Sequence, residues 1–161
     1  FETNLIWEVS NIITFNSSAI ILKNHIGEFY FDEDGDGNNE KFGDRTGSHS
    51  PKSSISFGTK INLSDQLTLN LDANYKDEFY FDEQNDHKSN SYSLFNGSLA
   101  YSKDNFSLSL WGKNLSDEKY AIRGYSFVLL PSTATGYTDS KSDYRSYGEK
   151  KSFGITFKYS F

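Results

Sequence analysis

The chain has 161 residues, with 16 Lys and Arg against 22 Asp and Glu and a net charge of −6, and no segment is basic enough to form a nucleic-acid surface. It has no cysteine and three scattered histidines, His25, His49 and His87, which excludes disulfides, cysteine catalysis and a closed zinc site. No apolar run approaches the ~18 residues of a membrane-spanning helix, and the first residues do not show the basic and apolar pattern of a secretory signal.

A membrane-spanning β-barrel survives these exclusions, because its strands alternate lipid-facing with lumen-facing side chains and are polar on average. The mean hydropathy of −0.65 fits that pattern. Aromatic residues make up 17% of the chain, as 14 Phe, 11 Tyr and 2 Trp, against only 2 Pro, a bias toward strands and membrane interfaces.

In chain order, Leu5, Trp7 and Val9 oppose Asn4 and Glu8 in a first predicted strand. Ile13, Phe15, Ala19 and Ile21 then oppose Thr14, Asn16 and Ser18, and Ile55, Phe57, Ile61 and Leu63 oppose Ser54, Ser56, Lys60 and Asn62. Leu67, Leu69, Leu71, Ala73 and Tyr75 alternate with polar residues from Thr68 to Lys76. Phe95, Leu99 and Tyr101 give a less regular strand, followed by Phe106, Leu108 and Leu110 against Ser107 and Ser109. The last strand is the cleanest: Phe153, Ile155, Phe157, Tyr159 and Phe161 alternate with Gly154, Thr156, Lys158 and Ser160. Seven strands result.

The connections alternate between short and long. Tight polar turns are expected near 10–11, 64–66 and 102–105, and longer loops near 32–52, 82–90 and 123–146. Outer-membrane barrels have this arrangement, with tight turns at one end and long loops at the other, whereas a soluble β-sandwich has no reason to adopt it. The hexapeptide Glu-Phe-Tyr-Phe-Asp-Glu occurs at 28–33 and again at 78–83. Each copy is expected to end a strand and open a long loop, placing both Phe-Tyr-Phe clusters at the height of an outer aromatic girdle, with Tyr101, Phe106, Tyr159 and Phe161 forming the lower one. An odd number of strands does not close a bacterial barrel, so the chain is expected to be a piece of a larger one that continues before Phe1, and an open, curved sheet if isolated.

The stretch from Leu110 to Tyr120, with Asn114, Leu115, Asp117 and Tyr120, resembles the penultimate-strand signature of TonB-dependent outer-membrane receptors. Tyr147-Gly148-Glu149, followed by alternation to Phe161, is similar to that family's ending, although Lys150-Lys151 replaces its Pro-Arg. The resemblance implies the C-terminal strands of an antiparallel barrel of about 22 strands around a plug domain. It also implies import of a scarce solute, typically a ferric siderophore, energised by the TonB complex acting on a plug outside these residues. Outer-membrane lipid, lipopolysaccharide and the rest of the receptor are the implied partners. Phe153, Ile155, Phe157, Tyr159 and Phe161 look like the signal read by the barrel-assembly machinery through strand addition.

For ligand contact, the basic and aromatic residues of the last loop, Arg123, Tyr125, Phe127, Tyr137 and Tyr144, suit an anionic, catechol-bearing chelate. Asp32, Asp34, Asp36 and Asn38 match the first half of a calcium loop, but the twelfth position is Gly43 where a bidentate Glu is required and no helices flank the segment, so a flexible acidic loop rich in turn residues is the favoured reading over calcium. Asn114 and Asp117 have a structural alternative too, satisfying backbone groups around a strand bend. No catalytic constellation stands out, and no resident cofactor is expected. Two further readings stay open on the sequence: a small self-contained adhesive or structural barrel, and a soluble carbohydrate-binding β-module.

Overall fold

The computed structural model describes residues 1–32, 36–127 and 142–161. Its strands are β1 (Glu2–Glu8), β2 (Ile13–Ile21), β3 (Phe29–Phe31), β4 (Glu40–Phe42), β5 (Ser53–Asn62), β6 (Leu67–Lys76) and β7 (Phe79–Tyr80), then β8 (Lys88–Ser89), β9 (Tyr92–Lys103), β10 (Phe106–Lys113), β11 (Ala121–Phe127), β12 (Ser142–Tyr147) and β13 (Ser152–Tyr159). Seven of them form one antiparallel sheet in the order β1-β2-β5-β6-β9-β10-β13, so the seven strands read from period-two alternation are those of the sheet. There is no helix among the described residues.

Register explains why one face is oily and the other wet. Leu69, Leu99, Leu110 and Ile155 stand opposite one another across β6, β9, β10 and β13, one apolar belt through the middle of the sheet. On the reverse face Thr14, Lys60, Asn70 and Ser98 form the matching polar row. Among the described residues little covers the apolar face: Leu115 lies against Gly97 and Gly112, while Ile155 is 69% exposed and Phe157 63%. Among the described residues, the buried apolar side chains are Phe42, Phe79, Phe81 and Ala121, none of them in the sheet. A soluble sandwich buries the inner face of its sheets; this sheet buries neither.

A row of direct partners also runs Trp7, Phe15, Thr59, Leu71, Gly97, Gly112, Phe153. Trp7 lies one residue before the short-turn end of β1, and Phe153 one residue past the long-loop end of β13. The strands are therefore staggered by almost their whole length over seven positions. Barrel closure requires this tilt.

Two of the three short turns use the same device. Ser10 Oγ accepts from the amides of Ile12 and Ile13, and Ser64 Oγ accepts from those of Gln66 and Leu67. The third places Asp104 at φ +50°, a left-handed position suited to a short acidic side chain. At this end Tyr101, Phe106 and Phe157 pack ring to ring at 5.7 and 5.9 Å, and Tyr159 meets Phe161 at 5.1 Å, which puts the residues expected in the lower girdle together.

The outer girdle is a correction. Neither Phe-Tyr-Phe cluster ends a sheet strand: β2 stops at Ile21 and β6 at Lys76, and the clusters belong to β3 and to β7 with Phe81, inside loops. Phe79 and Phe81 are each 5% exposed, packed with Ala121 and Tyr92 and out of reach of lipid. The long connections are accordingly longer than the sequence indicated, spanning 22–52, 77–91 and 114–151, and each carries a two-stranded sheet of its own.

Candidate functional site

The repeated hexapeptide builds the same local structure twice. In the first loop Tyr30 faces Lys41 across β3 and β4; in the second Tyr80 faces Lys88 across β7 and β8. Each facing lysine pairs with the glutamate two residues before the tyrosine, Lys41 with Glu28 and Lys88 with Glu78. Lys41, and then the Tyr30 hydroxyl that donates to the same carboxylate, hold Glu28 below the ordinary carboxylate range, while Glu78 raises Lys88. The aspartate ending each Phe-Tyr-Phe-Asp run then accepts from the following turn. Asp32 takes the amides of Asp36 and Gly37, and Asp82 those of Gln84 and Asn85.

Between these loops Arg45 is the principal tie. Its side chain is 12% exposed, and it donates through Nη1 to Asn85 O and Asp86 Oδ1, both at 2.8 Å, and through Nη2 to Glu83 O at 2.7 Å. The guanidinium lies 4.8 Å from the Tyr80 ring centroid. Two neighbours reinforce it: the His49 amide donates to Tyr80 O, and that of Ser48 to Glu83 Oε1. Hydrogen bonds from Ser48 hold Glu83 below the usual carboxylate range.

The second loop is tied to the third in turn. Ser89, 1% exposed, donates to Ala121 O at 2.8 Å, and Phe81 lies so close over Gly124 that a Cβ there would stand 2.2 Å from the ring. His87 Nδ1 is 2.7 Å from Asp143 Oδ1, and Ser126 donates to the same oxygen at 2.6 Å. Ser, His and Asp are the residue types of a hydrolase triad, but here serine and aspartate approach the same ring nitrogen and the serine proton goes to the carboxylate. With the serine proton on the carboxylate rather than on the imidazole, the arrangement differs from a triad and ties the second loop to the third.

Register sorts the residues expected to meet ligand. Tyr125 pairs with Tyr144 and Arg123 with Ser146, so Arg123, Tyr125 and Tyr144 share one face of the β11–β12 hairpin. Gly124, Arg145, Ser126 and Asp143 share the other, the one held against the second loop. Arg123 and Tyr125 are exposed. Phe127 closes β11 opposite Ser142, and Tyr137 lies outside the described residues. At the hairpin base a cleft of about 280 Å³ is lined by Tyr92, Glu118, Lys119, Tyr120, Arg145 and Tyr147, with the Lys119 ammonium 4.5 Å from the Tyr147 centroid. A surface of phenol rings, lysine and arginine beside one glutamate can hold a flat anionic group.

In the acidic tip of the first loop, Asp34 lies outside the described residues and Asn38 donates to Asp36. The oxygens that converge are those of Asp32, Asp36 and Glu40, within 4.8 Å of one another. Glu40, not anticipated from sequence, arrives because the hairpin sets it opposite Phe31, beside Asp32. By itself the convergence assigns no ion.

The motif 114–120 is not in the penultimate strand but is the turn leaving it. Asn114, at φ +46° and 3% exposed, donates through Nδ2 to Glu118 O and Glu149 O, both at 2.9 Å, and accepts the Glu118 amide at 2.8 Å. Asp117, at φ +55°, accepts from Lys151 N, and Leu115 N donates to Phe95 O. Tyr120 lies flat on Gly148, where a Cβ would stand 2.0 Å from the ring. These residues hold the root of the third loop to the start of β13. The apolar side chains of β13, Phe153, Ile155, Phe157 and Tyr159, line the apolar face along an edge strand with one sheet neighbour.

The fold is a staggered antiparallel sheet of the kind that forms a barrel wall, with a loop layer at one end. Among solved structures, the chain is similar to the siderophore receptor PiuA from Acinetobacter baumannii, at TM-score 0.72 and 21% identity over 97% of this chain and 20% of that one. It is equally similar to the ferric yersiniabactin uptake receptor FyuA from Yersinia pestis, at TM-score 0.72 and 17% identity over 99% of this chain and 23% of that one. The chain thus spans about a fifth of the length of these receptors, and at these identities the likeness is one of fold. No family model matches the sequence, and no curated protein does.

Proposed function

We propose that this chain is wall and loop layer of an outer-membrane receptor that imports a scarce solute, most naturally a ferric siderophore, with energy from the TonB complex. The observation that carries the reading is the seven-stranded staggered sheet, with one predominantly apolar face in register and all three long loops at one end. The likeness in fold to two iron-chelate receptors supports it. In this reading the apolar face meets lipid, the loops meet lipopolysaccharide and solute, and β13 is read by the assembly machinery. The Arg123, Tyr125 and Tyr144 face supplies cation and phenol contacts to the chelate.

The test is radio-iron uptake by iron-starved cells carrying the intact receptor, with a panel of ferric catecholates, phenolates and hydroxamates. One chelate is expected to be taken up, with loss on collapse of the inner-membrane proton gradient. The double variant Arg123→Ala, Tyr125→Ala is expected to weaken its binding tenfold or more without lowering the amount of receptor. Uptake that ignores both the gradient and deletion of the receptor would end the proposal.

The membrane orientation has its own check in the two tryptophans. Trp7 stands on the apolar face, whereas Trp111 stands on the polar one, its ring against Gly154 and its N–H donating to Thr156. In vesicles, the fluorescence removed by Trp7→Phe is expected to be the part quenched by brominated lipid. That removed by Trp111→Phe should be insensitive to bromine and accessible to iodide.

A further inference from the structure

We propose that Arg45, in the first loop, is a positioning residue for the β11–β12 hairpin in the third, acting through the second; its consequence for solute rests on the function proposed above. Among the described strands, β3 and β4 of the first loop touch neither β11 nor β12, and the contacts that lead from Arg45 to the hairpin run through the second loop.

The route is continuous and made of buried or close contacts. Arg45 fixes the 83–86 turn by two main-chain carbonyls and one carboxylate, and stacks on Tyr80. Tyr80 and the turn flank Phe81, whose amide donates to His87 O. Phe81 carries the Gly124 backbone on its ring, and His87 holds Asp143. Gly124 and Asp143 lie on the inner face of the hairpin, so their placement sets where the outer face, with Arg123, Tyr125 and Tyr144, presents itself.

Two features make Arg45 more than one surface bond among many. Lysine cannot replace it, because the interaction is a planar fork spanning three acceptors, and a single ammonium reaches them only in part. Gly124 is the matching point at the far end of the route, since any side chain there collides with Phe81.

The experiment uses the full receptor in membrane vesicles, with Tyr125→Cys as the single reactive cysteine carrying a nitroxide label, and hydrogen exchange read in parallel. No solute is needed, so the result stands whether or not a ferric chelate proves to be the cargo. With Arg45→Lys the label at 125 is expected to gain mobility, and amides 121–127 to exchange at least tenfold faster, while those of β9 and β10 do not change. Gly124→Ala should give the same signature from the other end. If Arg45→Lys loosens only 45–49 and 79–89 and leaves the label and 121–127 as they were, the proposal is wrong. Should Arg45→Lys fail to assemble, Gly124→Ala decides alone: faster exchange reaching back to 83–86 supports the coupling, and a change confined to β11 and β12 overturns it.

Discussion

Arginine at Leu110 is expected to cost about 2–4 kcal/mol of barrel stability in a bilayer, a factor of roughly thirty to nine hundred in the folded-to-unfolded ratio. Leu110 stands at the middle of β10 between Leu99 and Ile155, with Leu69 next in the row, and is 49% exposed on the apolar face. Nothing in that belt can accept a hydrogen bond from a guanidinium or screen its charge. The neighbouring position gives the contrast. Ser109 points to the opposite face, between Ala100 and Thr156, so Ser109→Arg is expected to change stability by less than about 1 kcal/mol. The measurement is urea unfolding in vesicles together with the amount of heat-modifiable protein in the membrane fraction. Equal tolerance of both arginines would mean that neither face meets lipid.

That contrast works because the sheet was almost fully legible in the sequence. A strand between an apolar medium and a wet interior alternates, and the pattern holds along most of the sheet, with Ser17, Thr59, Ser93 and Gly97 as small interruptions of the oily face. The Ser10 and Ser64 turns were legible for the same kind of reason, short polar segments with a hydroxyl where two amides need an acceptor. The loop layer was not. β3, β4, β7 and β8 have two or three residues each, too few to show a period, and Phe-Tyr-Phe has the composition of a girdle wherever it lies. What settles its place is the lysine facing each tyrosine and, for Phe79 and Phe81, the covering by His49 and Gly124 from other loops.

The candidate site divides along the same line. Arg123, Tyr125 and Tyr144 could be picked out by residue type, yet only the hairpin register puts them on one face. Arg45 left no trace in the sequence because two of its three acceptors are carbonyls, which every residue has. Glu40 carries no signal in the sequence because a helix-flanked calcium loop needs its glutamate at the twelfth position, whereas a hairpin returns the chain beside Asp32 sooner.

Replacing Asn114 by alanine is expected to be the most damaging polar substitution in the chain, costing about 3–6 kcal/mol. The amide is 3% exposed and satisfies three backbone groups, Glu118 O, Glu149 O and Glu118 N. Each group left unpaired costs about 1–3 kcal/mol, with part recovered where water can enter. The backbone adds a penalty of its own, since Asn114 sits at φ +46°, where asparagine is tolerated and alanine is strained by about 1 kcal/mol. Three variants separate these contributions. Asn114→Gly relieves the strain but still loses every bond; Asn114→Asp tolerates the backbone and keeps the acceptor but loses both donors. Asn114→Gln keeps the chemistry on a side chain one methylene too long. Stability is expected to fall in the order Asn, Asp, Gly, Ala, with the loss seen as faster exchange at 118 and 149–151 before the sheet unfolds. An Asn114→Ala protein with wild-type unfolding and wild-type exchange at those amides would show that the third loop is rooted elsewhere. Because Glu149 leads directly into β13, loosening this joint should also slow insertion, tying the turn after the penultimate strand to placement of the last one.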